Sequence, residues 1–256
     1  LEDGVLYIDH DLCSTCTQCI ALCPTLALSW DGVEPLPHEG QRLPTPEQLD
    51  ELFKQRRTVR RFKEDPVNRA LLQEVAEYGI YAPTNHYQLR ALLIDDPQVL
   101  DELQAIGLRA LRRVYNIFYR LKPVFTLLTR LTPAMQEKDK VKLEACLADG
   151  RPFTVAPALI FVVGDASIAH AEASAQYALY NMVLYAQSKG LGSTISGGSK
   201  LLLNPSKAAR RLLGLGKGER ILATLYLGHP AVTFRNKVRG KEMPLTWIEA
   251  EGQMGG

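Results

Sequence analysis

Arg56-Arg57-Thr58-Val59-Arg60-Arg61-Phe62 places four guanidinium groups around one hydroxyl. Most charge runs are solvated turns. A cluster of arginines is also what a phosphate dianion needs, because each guanidinium offers bidentate, charge-assisted hydrogen bonds. The flanking sequence favours the phosphate reading. Upstream, Thr45 has the character of a helix N-cap, with Pro46 at the first helical position and Gln48 completing a capping box. Leu49, Leu52 and Phe53 supply the apolar face of that helix. Downstream, residues 65–68 turn the chain into a second helix capped by Asn68, with Leu71, Leu72, Val75 and Ala76 at helical spacing and an end near Gly79. Residues 81–86, Tyr-Ala-Pro-Thr-Asn-His, then lead into a strand over 91–94.

Working outward toward the N-terminus, Cys13, Cys16, Cys19 and Cys23, followed by Pro24, have the spacing C-x2-C-x2-C-x3-C-P. That is the bacterial ferredoxin run, whose soft thiolates ligate a [4Fe-4S] cluster. A zinc knuckle or a disulfide pair is the competing reading. Zinc sites usually split their cysteines into two separated pairs, and no second pair follows. In two-cluster ferredoxins the fourth cysteine ligates the other cluster, whereas this sequence has one run. Cys23 therefore serves its own cluster, that of a second copy, or one completed by an upstream run, since the sequence opens on Leu1 rather than Met. Cys146, the remaining cysteine, fits a small buried hydrophobe. Strands over 5–8 and 26–30 would flank the cysteine loop as a ferredoxin-like half. Pro35, Pro37 and Pro44 interrupt regular structure in the Pro-, Gly- and His-rich stretch 31–44. The expected organisation is a ferredoxin-type module over 1–34, a linker over 35–44 and a second domain over 45–256.

With 256 residues, 46% hydrophobic and 23% charged, the chain has material for one large core beside a small module. A formal net charge of +2 gives no reason to expect nucleic acid as a partner. Five cysteines, four of them in a metal run, fit a reducing compartment. No signal peptide is visible, and no apolar run approaches the roughly eighteen residues of a membrane span. A cytoplasmic protein is expected.

Residues 100–131 read as a helical stretch in which apolar residues are interleaved with Arg109, Arg112, Arg113, Arg120, Lys122 and Arg130, interrupted by Pro123. Such a segment either packs one face on the core or lies on a membrane or partner. Residues 132–150 read as a polar connection. Residues 156–163 form a near-continuous apolar run, expected as a buried strand. An amphipathic helix over 172–189 stops at Gly190-Leu191-Gly192. Residues 193–199 read as a Gly/Ser loop, Asn204 as the cap of another helix, and 221–227 as a strand ending at Gly228-His229-Pro230. None of the five histidines has the neighbours of a nucleophilic triad.

From Cys13 to about Trp247 the sequence resembles the nitroreductase family of FMN enzymes, specifically members with an N-terminal ferredoxin domain. RRTVRRF is similar to the family's RRSxRxF flavin-phosphate motif, which implies Arg56, Arg57, Thr58 and Arg60 on FMN. Ala82-Pro83-Thr84 is similar to its APS/APT loop, which implies Pro83 and Thr84 beside the flavin. The family pattern continues to an Asn and then Gln-Pro, and here Tyr87 stands where that Asn is expected. The helix ending in GLG is similar to the family's central dimer helix, so Ser196, Gly197 and Gly198 would pass the flavin ring. The lysine and arginine of Lys237-Val238-Arg239 would close on the phosphate.

The resemblance implies an α+β, nitroreductase-like three-layer α/β/α sandwich, a homodimer with FMN between subunits, preceded by the iron-sulfur module. It also implies an oxidoreductase in which FMN reduces a small nitro, quinone or conjugated substrate, with electrons relayed through a [4Fe-4S] cluster from a ferredoxin-like donor or from NAD(P)H. Tyr87, Asn85 and His86 are the candidates for positioning or protonating substrate. The same site run in reverse gives an FMN-dependent oxidase or dehydrogenase, and a non-catalytic electron-transfer protein is a further reading.

Overall fold

The computed structural model describes residues 8–9, 13–37, 40, 43–83, 88–120, 137–238, 240–248 and 254–255. Its centre is a four-stranded antiparallel sheet in the order β1-β2-β4-β3. The strands are β1 (Arg90–Ile94), β2 (Ala158–Asp165), β3 (Gly192–Ile195) and β4 (Glu219–Gly228). β2 and β4 lie centrally, and the register shifts by a bulge between Val162 and Val163. All but the last residue of β2 are buried. Continuous apolar runs are usual in parallel sheets. β2 has one because helices cover both sides of an antiparallel sheet.

On one side lie α3 (Arg69–Glu77) and α6 (Ala171–Ser188), whose Leu72, Val75, Leu179 and Met182 pack on Ile160, Val162 and Leu225. On the other lie α4 (Pro97–Arg120), α7 (Gly198–Leu203) and α8 (Lys207–Leu212), whose Leu103, Ile106, Leu203 and Ala209 pack on Leu159, Phe161 and Tyr226. The result is the expected three-layer α/β/α sandwich. α2 (Pro46–Gln55) precedes these elements, α5 (Glu137–Asp149) lies between α4 and β2, and α1 (Gln18–Leu22) lies in the cysteine stretch. A two-residue pair, β5 (Trp247–Ile248) and β6 (Met254–Gly255), follows the core. Among the described residues no helix is long and apolar enough to cross a membrane.

The caps form where local chemistry demands them. Gln48 N donates to Thr45 Oγ1 at 3.3 Å and Thr45 N to Gln48 Oε1 at 3.0 Å, a complete capping box. Asn68 Oδ1 accepts from Ala70 N at 2.8 Å and Leu71 N at 3.3 Å. No residue of α2 is fully buried: Leu52 is half-buried, and Leu49 and Phe53 are exposed.

Four expectations need correction. Residues 26–30 do not form a strand, because Leu26 is left-handed at φ 54° and the pairing there is a tight Trp30–Val33 turn with Asp31 at φ 41° and Gly32 at φ 81°. The other flanking strand, over 5–8, falls largely outside the described residues. Residues 137–149 are helical, since Glu, Lys, Leu and Ala favour helix whether or not they build an apolar face. Asn204 does not cap α8. Ser206 does, with Ala209 N donating to its Oγ at 3.3 Å, while Asn204 closes α7 and pairs its amide with the backbone of Ile221. Residues 193–199 are not a loop throughout, because β3 occupies 192–195 and α7 begins at Gly198. α4 begins at Pro97, with Asp96 Oδ1 accepting from Gln98 N, and residues 121–136 lie outside the description.

Candidate functional site

The arginine stretch is strapped along the open edge of the sheet. Thr58 bridges Ser193 in parallel, and Phe62 bridges Pro230 in antiparallel fashion. Val59 N donates to Ser193 O at 2.9 Å, and the Thr194 hydroxyl donates to Val59 O. Lys63 N donates to His229 O at 2.8 Å and Ala231 N to Arg61 O at 2.9 Å. Val59 is the buried anchor, 4% exposed. Its neighbour must be glycine for steric reasons: a Cβ on Gly192 would stand 2.7 Å from Val59 Cγ2 and 2.9 Å from its Cβ. This close approach holds residues 56–60 against the end of β3.

Residues 237–238 arrive at the same place. Arg57 Nη2 donates to Val238 O at 3.3 Å and its Nη1 to Arg56 O at 2.6 Å, while Lys237 pairs with Glu51 on α2. That ammonium keeps the Glu51 carboxyl below its ordinary value. Arg56, Arg57, Thr58 and Lys237, far apart in sequence, thus share one edge of the sheet. Arg60 borders a neighbouring chamber of about 670 Å3, together with Phe62, Phe153 and Tyr226. Arg239 lies outside the described residues.

Ser196, Gly197 and Gly198 carry the chain from β3 into α7. Ser196 N is fixed by Thr224 O at 3.1 Å. Among the described residues, its chain neighbours aside, no atom lies within 4 Å of the place a Cβ would take on Gly197. Beneath this segment runs a hydroxyl chain that sequence reasoning missed. Ser199 Oγ donates to Ser196 Oγ at 3.2 Å, and with its one proton so committed it accepts from Tyr226 OH at 2.9 Å. Burial pushes the Tyr226 phenol up to about 12, opposed by the Ser199 bond. The hydroxyl of Thr224, also buried, has no hydrogen-bond partner among the described residues. One signal was available: a tyrosine and a threonine inside an apolar strand, each with a polar group to satisfy.

Pro83 lies elsewhere, in a crevice of about 960 Å3 shared with Cys16, Tyr81, His170 and Tyr177. Thr84, Asn85, His86 and Tyr87 lie outside the described residues. In the cysteine stretch Cys13 and Cys23 are half-buried, and Cys16 and Cys19 are exposed. Thr15 and Thr17 are left-handed, at φ 52° and 58°. Thr15 N donates to Cys13 Sγ at 3.4 Å and Ala27 N to Cys23 Sγ at 3.3 Å. The Thr25 hydroxyl and the Ala27 N–H lower the Cys23 thiol to about 7. Among the described residues no three His, Cys, Asp or Glu side chains are gathered into one metal-holding group.

The sheet, the strapped arginines and the open Ser-Gly-Gly segment coincide with a match to the family model described as Nitroreductase family, over residues 53–229. The chain belongs to the nitroreductase family. The nitroreductase match begins within α2 and ends just past β4, leaving the cysteine stretch outside it. Solved structures agree on the fold. A nitroreductase with bound FMN from Desulfitobacterium hafniense DCB-2 is 23% identical with a TM-score of 0.58, covering 78% of this chain and 97% of that one. An oxidized iodotyrosine deiodinase bound to FMN and 3-iodo-L-tyrosine is 21% identical with a TM-score of 0.57, covering 77% and 97%. A nitroreductase with bound FMN from Bacteroides fragilis NCTC 9343 is 20% identical with a TM-score of 0.55, covering 77% and 98%. No curated protein matches the chain at a significant level.

Proposed function

We infer that this nitroreductase-family chain is an FMN-dependent oxidoreductase that reduces a small nitro, quinone or conjugated organic substrate. The observation that carries the reading is the meeting of Arg57 with Val238 along the edge of β3, the strand that leads into the Ser196-Gly197-Gly198 segment. FMN supplies the chemistry, collecting electrons and delivering them as a hydride. Arg56, Arg57, Thr58, Arg60, Lys237 and Arg239 hold the phosphate through charge-assisted hydrogen bonds. Ser196, Gly197 and Gly198 present backbone N–H groups to the ring, with the Tyr226–Ser199 hydroxyls fixing Ser196 from below. Pro83 and Thr84 complete the site, and Tyr87, Asn85 and His86 orient or protonate substrate. A homodimer and a nicotinamide or ferredoxin-like donor belong to the same proposal.

The finer reading places the chain among members with a ferredoxin-type module over 1–34, a linker over 35–44 and the flavin domain over 45–256. Four thiols from one loop fit a soft iron site, and two of their sulfurs already accept backbone N–H groups. Cys13, Cys16, Cys19 and Cys23 would hold a [4Fe-4S] cluster, which supplies single-electron transfer.

Iron, sulfide and flavin measured on one anaerobic preparation test both levels. The expected result is about four irons and one FMN per chain, with Cys16→Ser removing iron but not flavin and Arg57→Ala removing flavin but not iron. Iron-free protein with full flavin would sink the module assignment. Iron without flavin would sink the enzyme reading.

A further inference from the structure

On the side of the sheet away from α6, the second half of α4 and the junction of α7 with α8 enclose a groove of about 510 Å3. Its floor is apolar: Ile106 is buried, while Val114 and Leu201 are 49% and 72% exposed. Exposed aliphatic side chains clustered along a groove mark an interaction site more often than they mark chance. Arg109 and Arg113, one helical turn apart, form one wall, and Lys207 stands on the other. Among the described residues no Asp or Glu lines the groove, and none of the three cations is ion-paired. The floor therefore selects an apolar body and the walls select an acidic head.

Shape decides between a single molecule and a surface. A bilayer needs a convex or flat apolar face, whereas this face is concave, and its volume falls within the roughly 300–1,000 Å3 of small-molecule sites. We propose that the α4/α7–α8 groove is a binding site for an anionic amphiphile, an acidic headgroup on an acyl-length apolar chain. The chain lies over Ile106, Val114 and Leu201, and the head sits between Arg109, Arg113 and Lys207. Charge-assisted hydrogen bonds from arginine set the specificity. The site does not depend on the flavin reading, since none of its residues belongs to the proposed FMN contacts.

The test is calorimetric titration of the full chain, as purified, with hexyl, octyl and decyl phosphate below their micellar concentrations. Affinity should rise about fourfold per added methylene until the groove is filled. The double charge reversal Arg109→Glu/Arg113→Glu should weaken decyl phosphate at least tenfold, and Leu201→Ser should flatten the chain-length dependence. All of these residues but Ile106 are at the surface, so unchanged thermal melting and flavin content verify that each variant is folded. Decyltrimethylammonium should not bind. The proposal is overturned if the ammonium binds as well as the phosphate or if the charge reversal changes nothing. Co-sedimentation with phosphatidylglycerol vesicles without binding of soluble alkyl phosphate also overturns it, and would mark a membrane surface instead. Failure here with normal iron and flavin content leaves the enzyme assignment standing.

Discussion

Replacing Gly192 by alanine puts a methyl group into the contact that straps the arginine stretch to β3. The added carbon would lie 2.7, 2.9 and 3.0 Å from Val59 Cγ2, Cβ and Cγ1, whereas carbon atoms settle at about 3.5–4.0 Å. Val59 is 4% exposed and its N–H is bonded to Ser193, so it cannot swing into solvent without breaking that bond. Overpacking of this kind costs roughly 1–3 kcal/mol. Val59→Ala alone removes buried methyls and costs about 1.5–3 kcal/mol. In the double variant two of the three clashing atoms are gone and the Cβ contact at 2.9 Å remains, so relief is partial. Urea unfolding of the four proteins should therefore show the pair losing about 1 kcal/mol less than the sum of the single losses, beyond the ~0.5 kcal/mol scatter of independent sites. FMN affinity should fall in G192A and recover in part in the double variant. Additive losses, or G192A with undiminished flavin binding, would refute the claim that this contact positions the phosphate arginines.

Further outcomes follow from individual contacts. Asn204→Ala strips both partners from the Ile221 backbone and should cost about 1–3 kcal/mol in chemical denaturation, with Asn204→Asp restoring only the N–H bond. The Arg90 guanidinium, seconded by the Gly216 N–H, holds Glu219 at about 2, below the 4.5 of its unfolded state. Its contribution is present above pH 4.5 and lost toward pH 2. Because both partners are partly exposed, E219Q should remove only about 1 kcal/mol or less of acid-sensitive stability. Tyr226, raised to about 12 by burial, has the opposite sign: its contribution is full below pH 10 and lost between pH 10 and 12. Tyr226→Phe should blunt alkaline unfolding in that window, followed by circular dichroism, and should shift the flavin reduction potential if the hydroxyl chain fixes Ser196.

Much of the core was legible because local chemistry and tertiary packing agree there. Thr45 with Gln48, Asn68 with the amides after it, and the apolar run that became β2 each have one good solution. Other readings failed where a local signal had two solutions. Asn204 followed by Pro205 suits a helix cap, but its amide also matches the backbone of a strand seventeen residues on, and a partner across the fold cannot be read from spacing. Residues 26–30 look strand-like, yet among the described residues no sheet edge receives them, and Trp30 pairs instead with Val33 across the Asp31-Gly32 turn. α5 escaped notice because helix propensity alone, without an apolar stripe, is a weak signal. At the site, the arginines announced themselves by charge, and residues 237–238 meet them across the edge of β3. Ser199 and Tyr226 did not, since a hydroxyl pair beneath a glycine turn exists only once β3, α7 and β4 are packed.

The most direct measurement is the affinity of flavin-depleted protein for FMN against riboflavin, with and without Arg57→Ala/Lys237→Ala. If the edge of β3 holds a phosphate, FMN should bind at least a hundredfold tighter than riboflavin, since each charge-assisted bond contributes about 1.5–3 kcal/mol, and the double variant should erase most of that preference. Equal affinity for the two flavins, or a preference untouched by the substitutions, would contradict the assignment of Arg57 and Lys237 to the cofactor.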